Sequence, residues 1–201
     1  GDGLRPGAGV DAGDAAQWEE VITLGRLAKY ALEQGVQCMI EGPGHVPMNQ
    51  VRTQIQGIKR LTNNAPLYVL GPLCCDSAPG YDHIAGAIGG ALGVEAGVDF
   101  LCYLTPAEHL TLPNEEDVRA GVMASRVAAH VGEVALGRER AVRREATMNA
   151  GRKALDWDMM REAALDPQQL DKRREDHKHE DVCAMCGKFC AVKMLKDQKK
   201  D

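Results

Sequence analysis

The sequence predicts an α/β fold: the C-terminal half of a (βα)8 barrel, then a helical region and a small C-terminal cysteine-bearing segment. Two observations carry that expectation. Short apolar runs bounded by glycine or proline alternate with stretches of helical periodicity, recurring about every 30 residues, as parallel βα units require. The polar residues of chemical interest also follow those runs: Glu41 and His45 after the first, Asp76 and His83 after the second, Tyr103 and His109 after the third. In a (βα)8 barrel that end of the strands is the rim where active sites are built. An open doubly wound sheet is the alternative, but no dinucleotide-binding glycine loop is present.

The elements follow in order. Asp14 is placed to cap a helix, with Gln17 three residues on. Trp18, Val21, Ile22, Leu24, Leu27, Ala28, Ala31 and Leu32 recur at helical spacing, and Gly35 is placed to end the helix. Val36-Gln37-Cys38-Met39-Ile40-Glu41 reads as a buried strand, running into the loop Gly42-Pro43-Gly44-His45-Val46-Pro47. A helix of roughly 47–62 follows, with Val51, Ile55, Ile58 and Leu61 on one face. Leu67-Tyr68-Val69-Leu70 is the second strand, closed by Gly71-Pro72, and a small-residue helix spans about 82–96. Val98-Asp99-Phe100-Leu101-Cys102-Tyr103 is the third. Asn114 then caps a helix whose first turn carries Glu115, Glu116 and Asp117, as the helix dipole favours, and which runs to about Leu136. A further strand is expected to end near Asp2. The barrel portion is therefore 1–137.

Beyond it, 138–167 reads as a helical extension with Trp157 and Met159 packing, broken at Asp166-Pro167. Residues 168–182 are mostly charged or polar and read as a solvated helix or tether. The cysteine segment, 183–201, ends in a Lys-rich tail.

Composition narrows the function. The chain has 201 residues, 44% of them hydrophobic and 26% charged, with a formal net charge of −5. That suits one core plus a small appendage and gives no basic face for nucleic acid. No apolar run approaches the ~20 residues of a membrane span. The opening Gly1-Asp2-Gly3-Leu4-Arg5-Pro6 lacks Met and reads like the middle of a domain, so a fragment of a longer chain is expected. There are seven cysteines. Cys38, Cys74, Cys75 and Cys102 are scattered as small buried hydrophobes would be, and the other three cluster. That division fits a cytoplasmic metalloprotein better than a secreted disulfide scaffold.

The cluster is Cys183-Ala184-Met185-Cys186-Gly187-Lys188-Phe189-Cys190. Three thiolates this close are suited to a metal. They make either a zinc knuckle completed by His177 or His179, or a 4Fe–4S cluster with one iron open to a further ligand. In Glu41-Gly42-Pro43-Gly44-His45, glycines allow close backbone approach and proline stiffens the loop, so a carboxylate and an imidazole would be held rigidly at the rim. The same residues also suit an ordinary turn. His109, at the equivalent place after a later strand, pairs with His45 as a possible divalent-metal site with open positions, or caps the Pro113-Asn114 turn. An Arg at a rim, as in Asp2-Gly3-Leu4-Arg5, suits a phosphate, although spacing alone favours a surface ion pair. Asp82-His83 is either catalytic or a helix cap, and Tyr68 points either to the core or to the rim. His130 reads as structural.

Taken together the motifs are specific. Asp2-Gly3-Leu4-Arg5-Pro6-Gly7, Met39-Ile40-Glu41-Gly42-Pro43-Gly44-His45-Val46-Pro47, Leu70-Gly71-Pro72-Leu73, Ala78-Pro79-Gly80-Tyr81-Asp82-His83-Ile84 and Leu101-Cys102-Tyr103-Leu104-Thr105-Pro106-Ala107-Glu108-His109-Leu110 occur in this order, followed by the cysteine cluster. The chain resembles the C-terminal part of the phosphomethylpyrimidine synthase family, from Gly1 to the cluster. The resemblance implies a radical S-adenosylmethionine lyase of thiamine biosynthesis. In that chemistry a 4Fe–4S cluster reduces S-adenosylmethionine to a 5′-deoxyadenosyl radical. The radical starts the rearrangement of 5-aminoimidazole ribotide into 4-amino-5-hydroxymethyl-2-methylpyrimidine phosphate, with release of formate and carbon monoxide. By resemblance, Asp2, Gly3, Leu4, Arg5, Glu41 and Tyr68 match substrate contacts. His45 and His109 match ligands of a divalent metal, typically zinc, and Cys183, Cys186 and Cys190 match the cluster ligands. A homodimer and an electron donor are also implied.

Two departures stand out. The usual family spacing is Cys-x2-Cys-x4-Cys, whereas here three residues separate Cys186 from Cys190. The loop Cys74-Cys75-Asp76-Ser77 also differs from the small or β-branched residues usual before its Asp. A paralogue, 5-hydroxybenzimidazole synthase of cobalamin lower-ligand synthesis, uses the same ribotide and is the alternative product class. A zinc-stabilised binding module without radical chemistry is the alternative from a different class.

Overall fold

A computed structural model describes residues 7–198. The chain divides into two compact units, one ending at Leu136 and one beginning at Gly137. The strand expected near Asp2, and Asp2, Gly3, Leu4 and Arg5 themselves, lie outside the described residues.

In the first unit, helix α1 (Ala15–Glu33) starts at Asp14, whose side chain accepts the Gln17 backbone N–H. It ends before Gly35, at φ +72. Strand β1 is much shorter than the expected run: Ile40–Glu41 pairs, while Val36 and Met39 are exposed. Helix α2 (Met48–Leu61) buries Val51, Ile55 and Ile58 as its periodicity predicts. Leu61 is exposed instead of buried. The buried stripe passes from Ile58 to Thr62, one helical turn on, and the Thr62 hydroxyl donates to the Ile58 carbonyl at 2.8 Å. Gln54, a polar residue on the same face, is also buried.

Strand β2 (Leu67–Leu70) lies between β1 and β3 (Phe100–Cys102) in a three-stranded sheet, and both pairings are parallel. Ile40, Leu67 and Val69 point into the main core with Val21 and Ala28 of α1 and Val51, Ile55 and Ile58 of α2. Helices thus cover one face of the sheet, and Tyr68, Leu70, Phe100 and Cys102 stand on the other, partly or largely exposed.

Helix α3 (Asp82–Ala96) packs against α4 (Glu115–Ala135). Glycines let α3 approach both α4 and the loop after β2: a Cβ on Gly132 of α4 would stand 2.6 Å from Val94 of α3. A Cβ on Gly89 would stand 1.9 Å from the Pro72 carbonyl oxygen, and one on Gly90 would meet Gly71 and Ala128. Helix α4 begins with a full capping box, Asn114 accepting from the Asp117 N–H and Asp117 from the Asn114 N–H.

The second unit is helical. The helical extension expected over 138–167 is helical but is broken before Asp166 as well. Helix α5 (Glu139–Ala154) ends where Leu155 turns left-handed at φ +55, and Asp156 caps α6 (Trp157–Ala163). Met160 is buried and Met159 is not, so the packing methionine is one place later than expected. Asp166-Pro167 starts a helix as well as ending the preceding segment. Pro167 occupies the first turn of α7 (Pro167–Arg174), where its missing N–H costs nothing. Trp157 donates its indole N–H to the Asp181 carbonyl, and Arg174 stacks over its ring at 3.4 Å. Ala191–Gln198 forms an amphipathic helix, α8.

Candidate metal and substrate site

Three loops, each following a strand, build the site in the first unit. The loop after β1 is strapped to the loop after β2 by two backbone bonds, Val46 N–H to the Leu73 carbonyl and Leu73 N–H to the Gly44 carbonyl, both 2.9 Å. This parallel bridge fixes His45. Gly42 opens the first loop, and a Cβ there would stand 2.6 Å from Val69 and 2.9 Å from Leu67, so only glycine lets the chain leave β1 along this path. In the loop after β3, Ala107 N–H donates to the Thr105 hydroxyl and Glu108 N–H to the Thr105 carbonyl. The turn leaves His109 at φ +60, a left-handed conformation uncommon for residues other than glycine.

The expected pairing of His45 with His109 is present in space. Their ring centroids are 5.1 Å apart, with an interplanar angle of 45°. Each imidazole is held by its own carboxylate. His45 Nδ1 lies 2.8 Å from Asp76 Oδ1, and His109 Nδ1 lies 2.8 Å from Asp82 Oδ2. The two pairs are mirror cases in burial. The His45 side chain is 8% exposed with Asp76 46% exposed, whereas His109 is 49% exposed and Asp82 only 7%. The other oxygen of Asp76 accepts the Gly9 N–H at 2.7 Å. That bond, then the one from His45, and the positive potential of the two imidazoles hold the Asp76 carboxyl below the usual carboxylate range.

The pair fits a divalent cation. Two imidazoles on one tetrahedral cation, at Zn–N distances of about 2.0–2.1 Å, have ring centroids about 5 Å apart. With both Nδ1 atoms engaged by carboxylates, Nε2 is the atom each ring has left to ligate, the usual arrangement of a metal-binding histidine. Among the described residues no three His, Cys, Asp or Glu side chains gather closely enough to enclose a metal by themselves. Two protein ligands leave several positions for substrate or water.

Glu41 and Tyr68 stand directly opposite each other in the β1–β2 ladder. Tyr68 sits at the half-buried step of a strand whose Leu67 and Val69 are in the core, so it faces away from the helices. That settles its direction, which the sequence left open. Asp82 is both the first residue of α3 and the partner of His109. His83 is half-buried, and its Nδ1 is buried without a hydrogen-bond partner. The sequence placed Asp76 among the residues after β2 and read Asp82 as catalytic or a helix cap, but it did not identify either as a histidine's partner. The available signal was their place in the loop and first helical turn after β2, one βα step from each histidine.

In the second unit, Cys183 and Cys186 are exposed and Cys190 is buried. Turn bonds run through the segment, Gly187 N–H to the Cys183 carbonyl, Phe189 N–H to the Cys186 carbonyl and Cys190 N–H to the Gly187 carbonyl, but the three thiols do not gather into one metal-holding group. The Cys186 backbone N–H, then other local donors, lower the Cys183 thiol below its ordinary pKa, and the neighbouring Cys183 raises that of Cys186. Cysteine sulfur is the donor type of an iron–sulfur site. His177 is taken by Glu180, Nδ1 to Oε1 at 2.9 Å.

A family model described as the Radical SAM ThiC family matches residues 1–197. The chain is 54% identical over 197 residues to the phosphomethylpyrimidine synthase of Desulforamulus reducens, covering 97% of this chain and 46% of that protein. It is 54% identical over 200 residues to the phosphomethylpyrimidine synthase of Desulfitobacterium hafniense, covering 98% and 46%. It is 52% identical over 203 residues to phosphomethylpyrimidine synthase 2 of Syntrophotalea carbinolica, covering 99% and 47%. The chain therefore spans about half the length of the curated relatives it matches.

Proposed function

The chain belongs to the radical SAM ThiC family, and on that footing we propose that the protein carrying it is a radical S-adenosylmethionine carbon–carbon lyase. Its reaction converts 5-aminoimidazole ribotide into 4-amino-5-hydroxymethyl-2-methylpyrimidine phosphate, the thiamine pyrimidine. The observation that carries the site assignment is the pair of carboxylate-held imidazoles, His45 and His109, in the loops after β1 and β3. The three-stranded parallel sheet, with helices on one face and Glu41 and Tyr68 opposite, suits one arc of a (βα)8 barrel.

In this reading His45 and His109 hold a divalent metal, zinc, next to the substrate. Glu41 and Tyr68 contact the ribotide, and Asp2, Gly3, Leu4 and Arg5 complete its binding. Cys183, Cys186 and Cys190 are the ligands of a 4Fe–4S cluster. That cluster, when bound, supplies one-electron reduction of S-adenosylmethionine at an iron without a protein ligand. The protein acts in the cytoplasm as a homodimer and takes its electron from a separate donor.

The test uses the full-length protein, anaerobically, with ribotide, S-adenosylmethionine and a reductant, and weighs the product. The pyrimidine phosphate is expected, and the mass of 5-hydroxybenzimidazole would overturn the assignment. The preparation is expected to be brown, with Cys186→Ala abolishing the visible absorbance. A colourless protein holding zinc at the cysteines would overturn the radical reading altogether.

A further inference from the structure

We propose that Asp76 and Asp82 are positioning residues for the divalent cation, each holding one histidine so that His45 and His109 offer their Nε2 atoms to the same ion. The inference rests on the metal reading above and adds to it the two groups that determine which ring nitrogen can ligate. Neutral imidazole carries one proton, and the nitrogen bearing it cannot bind a metal. A carboxylate accepts only, so it selects the tautomer with the proton on Nδ1 and leaves the Nε2 lone pair free. Both histidines meet a carboxylate oxygen through Nδ1 at 2.8 Å. Two such pairs with centroids 5.1 Å apart are hard to explain as separate surface contacts.

Each carboxylate is itself held. Asp76 has one oxygen on His45 and the other on the Gly9 N–H, so it is not free to rotate. Asp82 is buried in the first turn of α3, which anchors the more exposed ring, His109. His109 also occupies the left-handed region at φ +60, a conformation unfavourable for a residue with a Cβ. Strain of this kind at a half-exposed histidine marks a side chain held in place by its surroundings. The more exposed histidine thus has the buried carboxylate, and the buried histidine has the carboxylate that reaches across to Gly9.

The experiment measures Zn2+ affinity of the full-length protein by competition with a chromophoric chelator, and counts imidazole ligands at the zinc absorption edge, which cluster iron does not obscure. Asp76→Asn and Asp82→Asn are near-isosteric, but their amide can donate to Nδ1 and so favour the wrong tautomer. Each is expected to weaken Zn2+ binding about 10–100-fold and to lower the imidazole count from two to one. Cluster iron and sulfide should stay at wild-type levels. Asp76→Glu, at the exposed position, restores an acceptor and should recover most of the affinity. Because Asp82 is buried, Asp76→Asn is the decisive variant should Asp82→Asn fail to fold. If His45→Ala and His109→Ala abolish Zn2+ binding while Asp76→Asn binds as wild type, this proposal is wrong and the metal reading survives. If the two histidine variants also bind zinc as wild type, the metal reading itself has failed.

Discussion

Glu41 is the register partner of Tyr68 in the parallel β1–β2 ladder, so a carboxylate and a phenol stand side by side on one face of the sheet. Removing one polar partner of a bound ligand while its shape is kept costs about 1.5–3 kcal/mol when a charge is involved. In the full-length protein Glu41→Gln and Tyr68→Phe should therefore raise the dissociation constant for aminoimidazole ribotide about 10–100-fold, the carboxylate change more than the phenol. Calorimetric titration checks this. Wild-type affinity in both variants would show that the pair does not touch the ribotide.

Gly89→Ala separates two opposing effects on α3. In an exposed helix the change gains about 1 kcal/mol of propensity. Here the new methyl would stand 1.9 Å from the Pro72 carbonyl and 2.9 Å from the Cys74 sulfur. Overpacking against backbone costs about 3 kcal/mol, so the clash wins. The urea midpoint should fall, and a rise would show that α3 can move away from the loop after β2.

Trp157 holds its unit together through its edge and its face. Trp157→Phe loses the hydrogen bond to the Asp181 carbonyl and keeps a ring beneath Arg174. The expected cost is about 1 kcal/mol. Trp157→Leu also loses the cation–π contact, and about 0.5–1 kcal/mol more. Chemical unfolding followed by far-ultraviolet circular dichroism should rank wild type above Phe and Phe above Leu.

The cysteines should differ in reactivity before any metal is added. A lowered pKa increases the thiolate fraction near neutral pH, and thiolate is the species that alkylates. Cys183 should therefore label before Cys186. Cys74 should be slowest of the three, since burial pushes its thiol to about 11. Raising the pH through the ordinary thiol range should narrow the gap between Cys183 and Cys186 first. Peptide mass spectrometry after timed iodoacetamide treatment reads the order, and faster labelling of Cys186 would contradict it.

Most of the local structure was legible in the sequence because it depends on nearby residues. Asp14 and Asn114 are caps whose side chains meet N–H groups three residues on, and Val51, Ile55 and Ile58 lie on one face by helical geometry alone. The short β1 was not legible. An apolar run such as 36–41 pairs only where a neighbouring strand is present, and here only Ile40 and Glu41 meet β2. The break at Leu155 has no glycine or proline at the turn itself, since it follows from packing α6 back on α5 at Gly151.

By itself the sequence determined which residue types were available: histidines after the first and third strands, a glutamate beside one of them, three clustered cysteines, and a motif order shared with one enzyme family. Only the tertiary structure decided which of these meet. Parallel pairing across 27 residues brings Glu41 against Tyr68, and loops from different βα units bring His45 to Asp76 and His109 to Asp82. Those pairings depend on register and on how closely α3 can approach β2 and β3. That approach depends in turn on contacts between residues far apart in the chain, such as Gly89 and Pro72, which no local pattern specifies.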